Sequence, residues 1–199
     1  MTDETPAKIA TLRIELLDTE PPVWREVEVP VAITLKQLHQ IVQAAMGWHD
    51  AHLWQFTVGR QEYGPSTGGN LGWGPAPSVR ADKVGLGEVL KPRKTTLEYI
   101  YDFGDTWEHR LVVTRIRDAV NGEAYPRYVA GQGNAPPEDC GGTPGFYEML
   151  DARDDPGHPD HEDAVDWLGD YDPAAIDEAA IRLRLGRIAK RRKSHAAGT

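Results

Sequence analysis

The residues of this chain that could do chemistry gather in a few short stretches, the densest being Tyr99-Ile100-Tyr101-Asp102-Phe103-Gly104-Asp105-Thr106-Trp107-Glu108-His109. Strand-like runs flank a tight Asp-Phe-Gly-Asp turn. Asp102 and Asp105 therefore fall near the mouth of a hairpin, while Trp107 and His109 share one face of its second strand. Two carboxylates and an imidazole are the donor types of a divalent-metal site or of acid/base work. The same residues also have a structural use, because Asp closes Asx-type turns and a histidine can cap or pack. A second cluster, Glu138-Asp139-Cys140-Gly141-Gly142, sets two carboxylates, the single thiol of the chain and a glycine pair just ahead of an expected helix. Helix amides would favour a Cys140 thiolate and the adjacent acids oppose it, so a loop anchor is the stronger expectation than a nucleophile. The glycine pair lacks the lysine and the spacing of a phosphate loop.

His49-Asp50-Ala51-His52 has His-x-x-His spacing, a weak metal signal alone and a stronger one if His52 meets the hairpin carboxylates. His158-Pro159-Asp160-His161-Glu162 reads as capping, with Glu162 and Asp163 in a first helical turn where negative charge is favourable anyway. The candidate site is thus His52, Asp102, Asp105, Trp107, His109, Glu138, Asp139 and Cys140, of which His52, Asp102, Asp105 and His109 are the candidate metal ligands. No residue is assigned a catalytic role. A divalent metal is the cofactor these residue types admit, and nothing in the sequence requires one.

The elements that must position these groups follow from periodicity. Leu12, Ile14 and Leu16 alternate with polar residues, as do Val23, Arg25, Val27 and Val29, predicting an early antiparallel pair broken by Pro21-Pro22. Thr34-Leu35-Lys36-Gln37 is a capping box, the apolar positions Leu35, Leu38, Ile41, Val42, Ala45 and Met46 follow at helical spacing, and Gly47 supplies the stop. Trp54, Phe56 and Val58 predict a strand, residues 64–80 a long loop anchored by Trp73, and residues 82–90 a helical turn. After Tyr125-Pro126 an irregular stretch is expected. Thr143-Pro144, His158-Pro159 and Asp172-Pro173 then open three short helices, at about 144–152, 159–168 and 173–188. The large aromatics should mostly be core, Trp73 excepted. The expected fold is α+β, a compact single domain with a mostly antiparallel sheet, one early capped helix and three short C-terminal helices. Its expected organisation is a disordered 1–7, one domain over 8–185 and a basic tail over 186–199.

At 199 residues the chain can fill one core. One cysteine excludes an internal disulfide, and no apolar run is long enough to cross a bilayer, so a cytoplasmic protein without a membrane partner is expected. All 31 acidic residues lie at or before Glu178, whereas seven of the 22 Lys and Arg lie within 182–193. An acidic body disfavours nucleic acid and leaves it open only to the basic tail, whose simpler reading is a solvated helix end.

Glu20-Pro21-Pro22-Val23-Trp24-Arg25, Leu38-His39 through Ala45-Met46-Gly47-Trp48, the 101–109 hairpin and Pro136-Pro137-Glu138-Asp139-Cys140-Gly141-Gly142 occur in one order and spacing. Together they closely resemble the plasmid pRiA4b ORF-three-like family, also described as insertion-element passenger proteins of TnpR type, over about residues 8–180. The resemblance implies a compact α+β fold and an association with plasmids or mobile elements in bacteria. It implies no established activity. The family pattern His-Leu-His reads His52-Leu53-Trp54 here, which counts against an obligatory metal ligand at the second position. The TnpR label suggests a resolvase, yet the only serines are Ser66, Ser78 and Ser194, none of them near the N-terminus where a serine recombinase holds its nucleophile. The favoured expectation is a non-catalytic binding or accessory protein with a protein or small-ligand partner. The alternative is a metal-dependent hydrolase drawing ligands and a base from the His/Asp/Glu cluster.

Overall fold

The computed structural model describes residues 6–65, 79–91 and 95–196, with side chains described as far as 192. Its sheet is built outward from Lys8–Leu16 (β1). Ala10, Leu12, Ile14 and Leu16 are buried on one face, and Arg13 and Glu15 are half-buried on the other. Val23–Pro30 (β2) pairs antiparallel with β1, setting Leu12 opposite Val27 and Ile14 opposite Arg25.

Leu35–Met46 (α1) begins on the predicted box: Thr34 Oγ1 accepts from the Gln37 amide, and Gln37 Oε1 accepts from the Thr34 amide. It ends where Gly47 adopts φ +87°, a conformation that costs other residues energy. Nine of its twelve residues are buried, so the helix is held by packing more than by propensity. Arg25 reaches that C-terminal end from β2. It is fully buried and donates through Nε to the Ala45 carbonyl and through Nη1 to the carbonyls of Trp24 and Gln132. Burial lowers its pKa only to about 10, so it stays charged at a helix end that favours cations.

Trp54–Val58 (β3), Gln61–Gly64 (β4), Val79–Arg80 (β5), Leu86–Val89 (α2), Thr96–Tyr101 (β6), Trp107–Asp118 (β7) and Arg127–Gln132 (β8) complete the strand-rich part. Gly142–Asp154 (α3), His161–Leu168 (α4) and Glu178–Ala196 (α5) follow. The eight strands form one sheet in the order β5-β4-β3-β6-β7-β1-β2-β8, antiparallel throughout except for β4 with β5. α5 packs along α1 and β8, and α3 along α4. The architecture is α+β, one compact domain, as the pattern of strands first and helices later implies.

Three expectations need correction. The stretch after Tyr125-Pro126 is not irregular: β8 extends the sheet beside β2, because Tyr128 packs inward while Gly131 passes close to the Trp24 carbonyl, where a side chain would not fit. α3 starts at Gly142 with Gly141 as its cap, not at Pro144 with Thr143 as cap, because its first turn is fastened from outside by Asp105. The last helix is Glu178–Ala196, not 173–188: it opens five residues after Pro173 and runs on past 188. Ile181, Leu185 and Ala189 recur at helical spacing and are buried, which carries the helix well past 188. Trp73 and most of the 64–80 loop lie outside the described residues, as do residues 1–5 of the expected disordered N-terminus and residues 197–199 of the tail.

Candidate functional site

The end of the sheet where β6 turns into β7 is packed with aromatic rings. Trp54, Tyr101 and Trp107 sit side by side across β3, β6 and β7, since Tyr101 pairs with both neighbours. Trp48, just past α1, stacks on Tyr101 with centroids 5.2 Å apart, and its Nε1 donates to the Pro136 carbonyl at 2.9 Å. That bond brings the 136–142 loop onto the hairpin.

Below this layer lies a closed ring of hydrogen bonds. His39 projects from the apolar face of α1, stacked on Trp54 at 4.0 Å, with Nε2 2.6 Å from Asp50 Oδ1 and Nδ1 2.8 Å from the Tyr99 hydroxyl. Gln43 Nε2 donates to that hydroxyl, and the Asp50 amide donates to Gln43 Oε1. One assignment satisfies every member: His39 donates from Nε2 to Asp50 and accepts the Tyr99 proton on Nδ1. Burial lowers the His39 pKa, with Asp50 opposing, and raises that of Tyr99. The ring fixes where residues 49–52 emerge.

Above it, Glu138 ties two segments together. Its Oε1 accepts from the Tyr101 hydroxyl at 2.5 Å and its Oε2 from the His49 amide at 2.9 Å, while the Tyr101 oxygen accepts from the Ala51 amide. Burial and the hydrogen bond to Glu138 both raise the Tyr101 pKa, so the phenol stays protonated. Asp105 Oδ2 accepts from the Gly141 amide. Gly142, at φ +68°, passes so close to the Asp105 carbonyl that a Cβ there would lie 2.2 Å from its oxygen.

These fastenings bring three segments to one point. His52 Nδ1 lies 3.6 Å from Asp102 Oδ2, and His52 Nε2 lies 2.9 Å from Asp139 Oδ1. Nε2 is buried yet makes no hydrogen bond despite that short contact. Asp102 spends Oδ1 on the Gly104 amide, the expected Asx turn, which leaves Oδ2 toward His52. One ligand atom from each of His52, Asp102 and Asp139 lies within 4.8 Å of the other two, and among the described residues no other trio of His, Cys, Asp or Glu does so. Asp50, Asp102, Thr106 and Asp139 all have φ between +56° and +60°, four of the five such non-glycine residues described.

The other predicted residues stand apart from this trio. His109 shares the buried face of β7 with Trp107, as the alternation predicts, and that face is core. Its Nδ1 donates to the Trp107 carbonyl, burial depresses its pKa to about 4, and it packs between Trp48 and Tyr99. It is therefore a neutral core ring, outside the His52 group. Asp105 and Glu138 serve the loop fastening. Cys140 is buried, donates from Sγ to the Pro137 carbonyl, and has its pKa pushed up to about 12 by burial and then by Asp105. Burial holds it as a protonated thiol, the form that does not attack. The site also uses His39, Asp50 and Tyr101, which the motifs alone do not single out. A histidine at a core position of an otherwise apolar helix face is the sequence signal for His39.

A family model described as plasmid pRiA4b ORF-3-like protein matches residues 8–180. Uncharacterized protein y4hQ of Sinorhizobium fredii (strain NBRC 101917 / NGR234) is 36% identical over 186 residues, covering 92% of this chain and 93% of its own length. The crystal structure of a protein of unknown function, MM3350 from Methanosarcina mazei Go1, shares the fold with a TM-score of 0.79 at 33% identity, covering 88% of this chain and 98% of that one. Neither relative's name carries an activity. The docked hairpin and 136–142 loop, the sheet that holds them and similarity along nearly the whole length agree: the chain belongs to the plasmid pRiA4b ORF-3-like family.

Proposed function

We propose that this is a binding protein whose specific site is a divalent-cation centre made by His52, Asp102 and Asp139. The observation that carries the reading is the convergence of one imidazole and two carboxylates, from three separate segments, within 4.8 Å of one another. Ligands about 2.1 Å from one ion stand at most ~4.2 Å apart, so closing on an ion asks for a shift wherever two of these atoms stand farther apart than that. Asp139, with 62% of its side chain exposed, has the freedom to make it. Two carboxylates balance a divalent charge, and the mixed N/O set suits Mn2+ or Zn2+ better than Ca2+. The poorly directed contact between His52 Nε2 and Asp139 is what a shared cation would replace.

The test is calorimetric titration of metal-free protein with Mn2+ and Zn2+, beside elemental content of the native protein. One site per chain is expected, weakened about 100-fold or more in His52→Ala and Asp139→Asn and unchanged in His158→Ala, which alters a histidine of another loop. Equal affinity in His52→Ala would refute the centre.

One observation supports hydrolytic use of the same ion: three protein ligands with an exposed Asp139 leave coordination positions open to water. Glu138 does not supply the base, since both its oxygens already accept hydrogen bonds. Cation-dependent hydrolysis of phosphoester or carboxylic-ester substrates, lost in Asp139→Asn, would establish that reading. Cation binding without hydrolysis would leave the binding protein.

A further inference from the structure

α1 and α5 lie side by side and leave between them a groove of about 860 Å³. Arg184, Arg187, Arg191 and Arg192 of α5 line it, and the one carboxylate among its described lining residues is Asp50. Spacings of three, seven and eight residues place the four guanidinium groups on one face of the helix. Asp50 already holds His39 through Oδ1. Arg184 donates to the Trp48 carbonyl and Arg192 to Gln37 Oε1, so these contacts orient two of the arginines without neutralising them.

A helix C-terminus favours cations, but that field fades within the last turn. α5 ends at Ala196, so it does not account for Arg184 and Arg187, three turns and two turns earlier. Arg184 with Arg187, and Arg187 with Arg191, are like-charge neighbours at the spacings where helical side chains meet and repel. The chain carries a net charge of −9, yet this wall gathers four cations where a ligand-sized groove opens.

We propose that the α1–α5 groove binds a phosphate-bearing ligand, a nucleotide or the backbone of a nucleic-acid strand, with the α5 arginines on its phosphate oxygens. Guanidinium groups present paired donors that match two phosphate oxygens at once, which a scattered acidic surface does not counter at short range. Salt screens the long-range repulsion from the rest of the chain beyond about 8–10 Å. The groove does not depend on the cation centre, and each can fail without the other.

The experiment uses the full chain, metal-free, at about 0.1 M salt, with pyrophosphate, ATP and a fluorescent single-stranded oligonucleotide as separate probes. Binding of ATP and pyrophosphate would identify a small phosphate ligand. Binding of the oligonucleotide alone would identify a strand. Either source supports the groove if Arg187→Glu weakens it at least about tenfold while Lys190→Glu, the same charge change on α5 outside the groove, leaves it within about threefold. Both positions are exposed, and circular dichroism of each variant checks that the helix is intact. The proposal is overturned if none of the three probes binds at millimolar concentration, or if Lys190→Glu costs as much as Arg187→Glu.

Discussion

Gly142→Ala tests how tightly the 136–142 loop is held against the hairpin. The added Cβ would lie 2.2 Å from the Asp105 carbonyl oxygen and 3.1 Å from its carbon, where about 3.4 Å is ordinary contact. Backbone does not yield as a long side chain does, so one of the two segments must move by about 1 Å or more. Such a shift breaks the 3.1 Å bond from the Gly141 amide to Asp105, worth about 1.5–3 kcal/mol with a charged acceptor. A left-handed alanine at φ +68° adds about 1 kcal/mol. The expected loss is therefore about 2.5–4 kcal/mol, or roughly 5–15 °C in Tm for a domain of this size. Gly122→Ala is the control. Gly122 has φ +86° and nothing within 4 Å of the point a Cβ would occupy, so only the backbone cost of about 1 kcal/mol should appear. Urea denaturation of both variants, with Mn2+ or Zn2+ titration of the folded Gly142→Ala protein, completes the assay. Equal destabilisation by the two substitutions would refute the close docking. Cation affinity unchanged in Gly142→Ala would refute the claim that docking positions Asp139.

Two further outcomes follow from buried titratable groups. The folded pKa of His109 is depressed from 6.5 to about 4, so the unfolded chain takes up a proton that the native state refuses. Its contribution is complete above pH 6.5 and is lost as pH falls toward 4, amounting to about 3 kcal/mol over that window; urea denaturation at pH 7 and pH 4.5 should show a drop larger by roughly 2–3 kcal/mol than in His109→Phe, and equal drops would refute the neutral core ring. Cys140, buried and pushed up to about 12, should resist a thiol-disulfide reagent at pH 8 in the native protein and react once per chain in denaturant, so rapid native labelling would contradict its role as a loop anchor.

Local rules make β1, β2, α1 and the 101–107 hairpin legible, because each is specified by neighbours in the chain. Alternation orients a strand, and the Thr34–Gln37 box and Gly47 bound a helix by contacts a few residues apart. β8 escapes them because Tyr128 and Gly131 make sense only against β2 and α5, and the true start of α3 escapes because its anchor is Asp105, in another element. The same distinction divides the candidate site. His52, Asp102 and Asp139 can be named as chemistry-bearing residues, but their meeting depends on Glu138 bridging Tyr101 and His49, and on Trp48 holding the Pro136 carbonyl. His109 looks equivalent in one dimension. Strand parity turns it into the core, a consequence that follows once Trp107 on the same face is seen to be buried.

Four of the five described non-glycine residues with left-handed φ stand at this end of the sheet. Left-handed conformations cost L-residues about 1–2 kcal/mol each, less for Asp, whose short side chain can compensate locally. Three of the four near the site are aspartates, and each has a partner: Asp50 in the His39 ring, Asp102 in its turn, Asp139 against His52. Thr106 is β-branched and has no such excuse, yet its amide donates to the Asp102 carbonyl at 2.6 Å and closes the turn that aims Oδ2 at His52. A hairpin needing only to reverse direction has cheaper solutions with glycine or asparagine. Residues held this way persist when the surrounding structure over-determines them, and here the surroundings are the same bonds that bring three ligand atoms together. Relaxing the turn with Thr106→Gly should therefore stabilise the fold while loosening the cation centre, a pairing of effects that a purely structural turn would not produce.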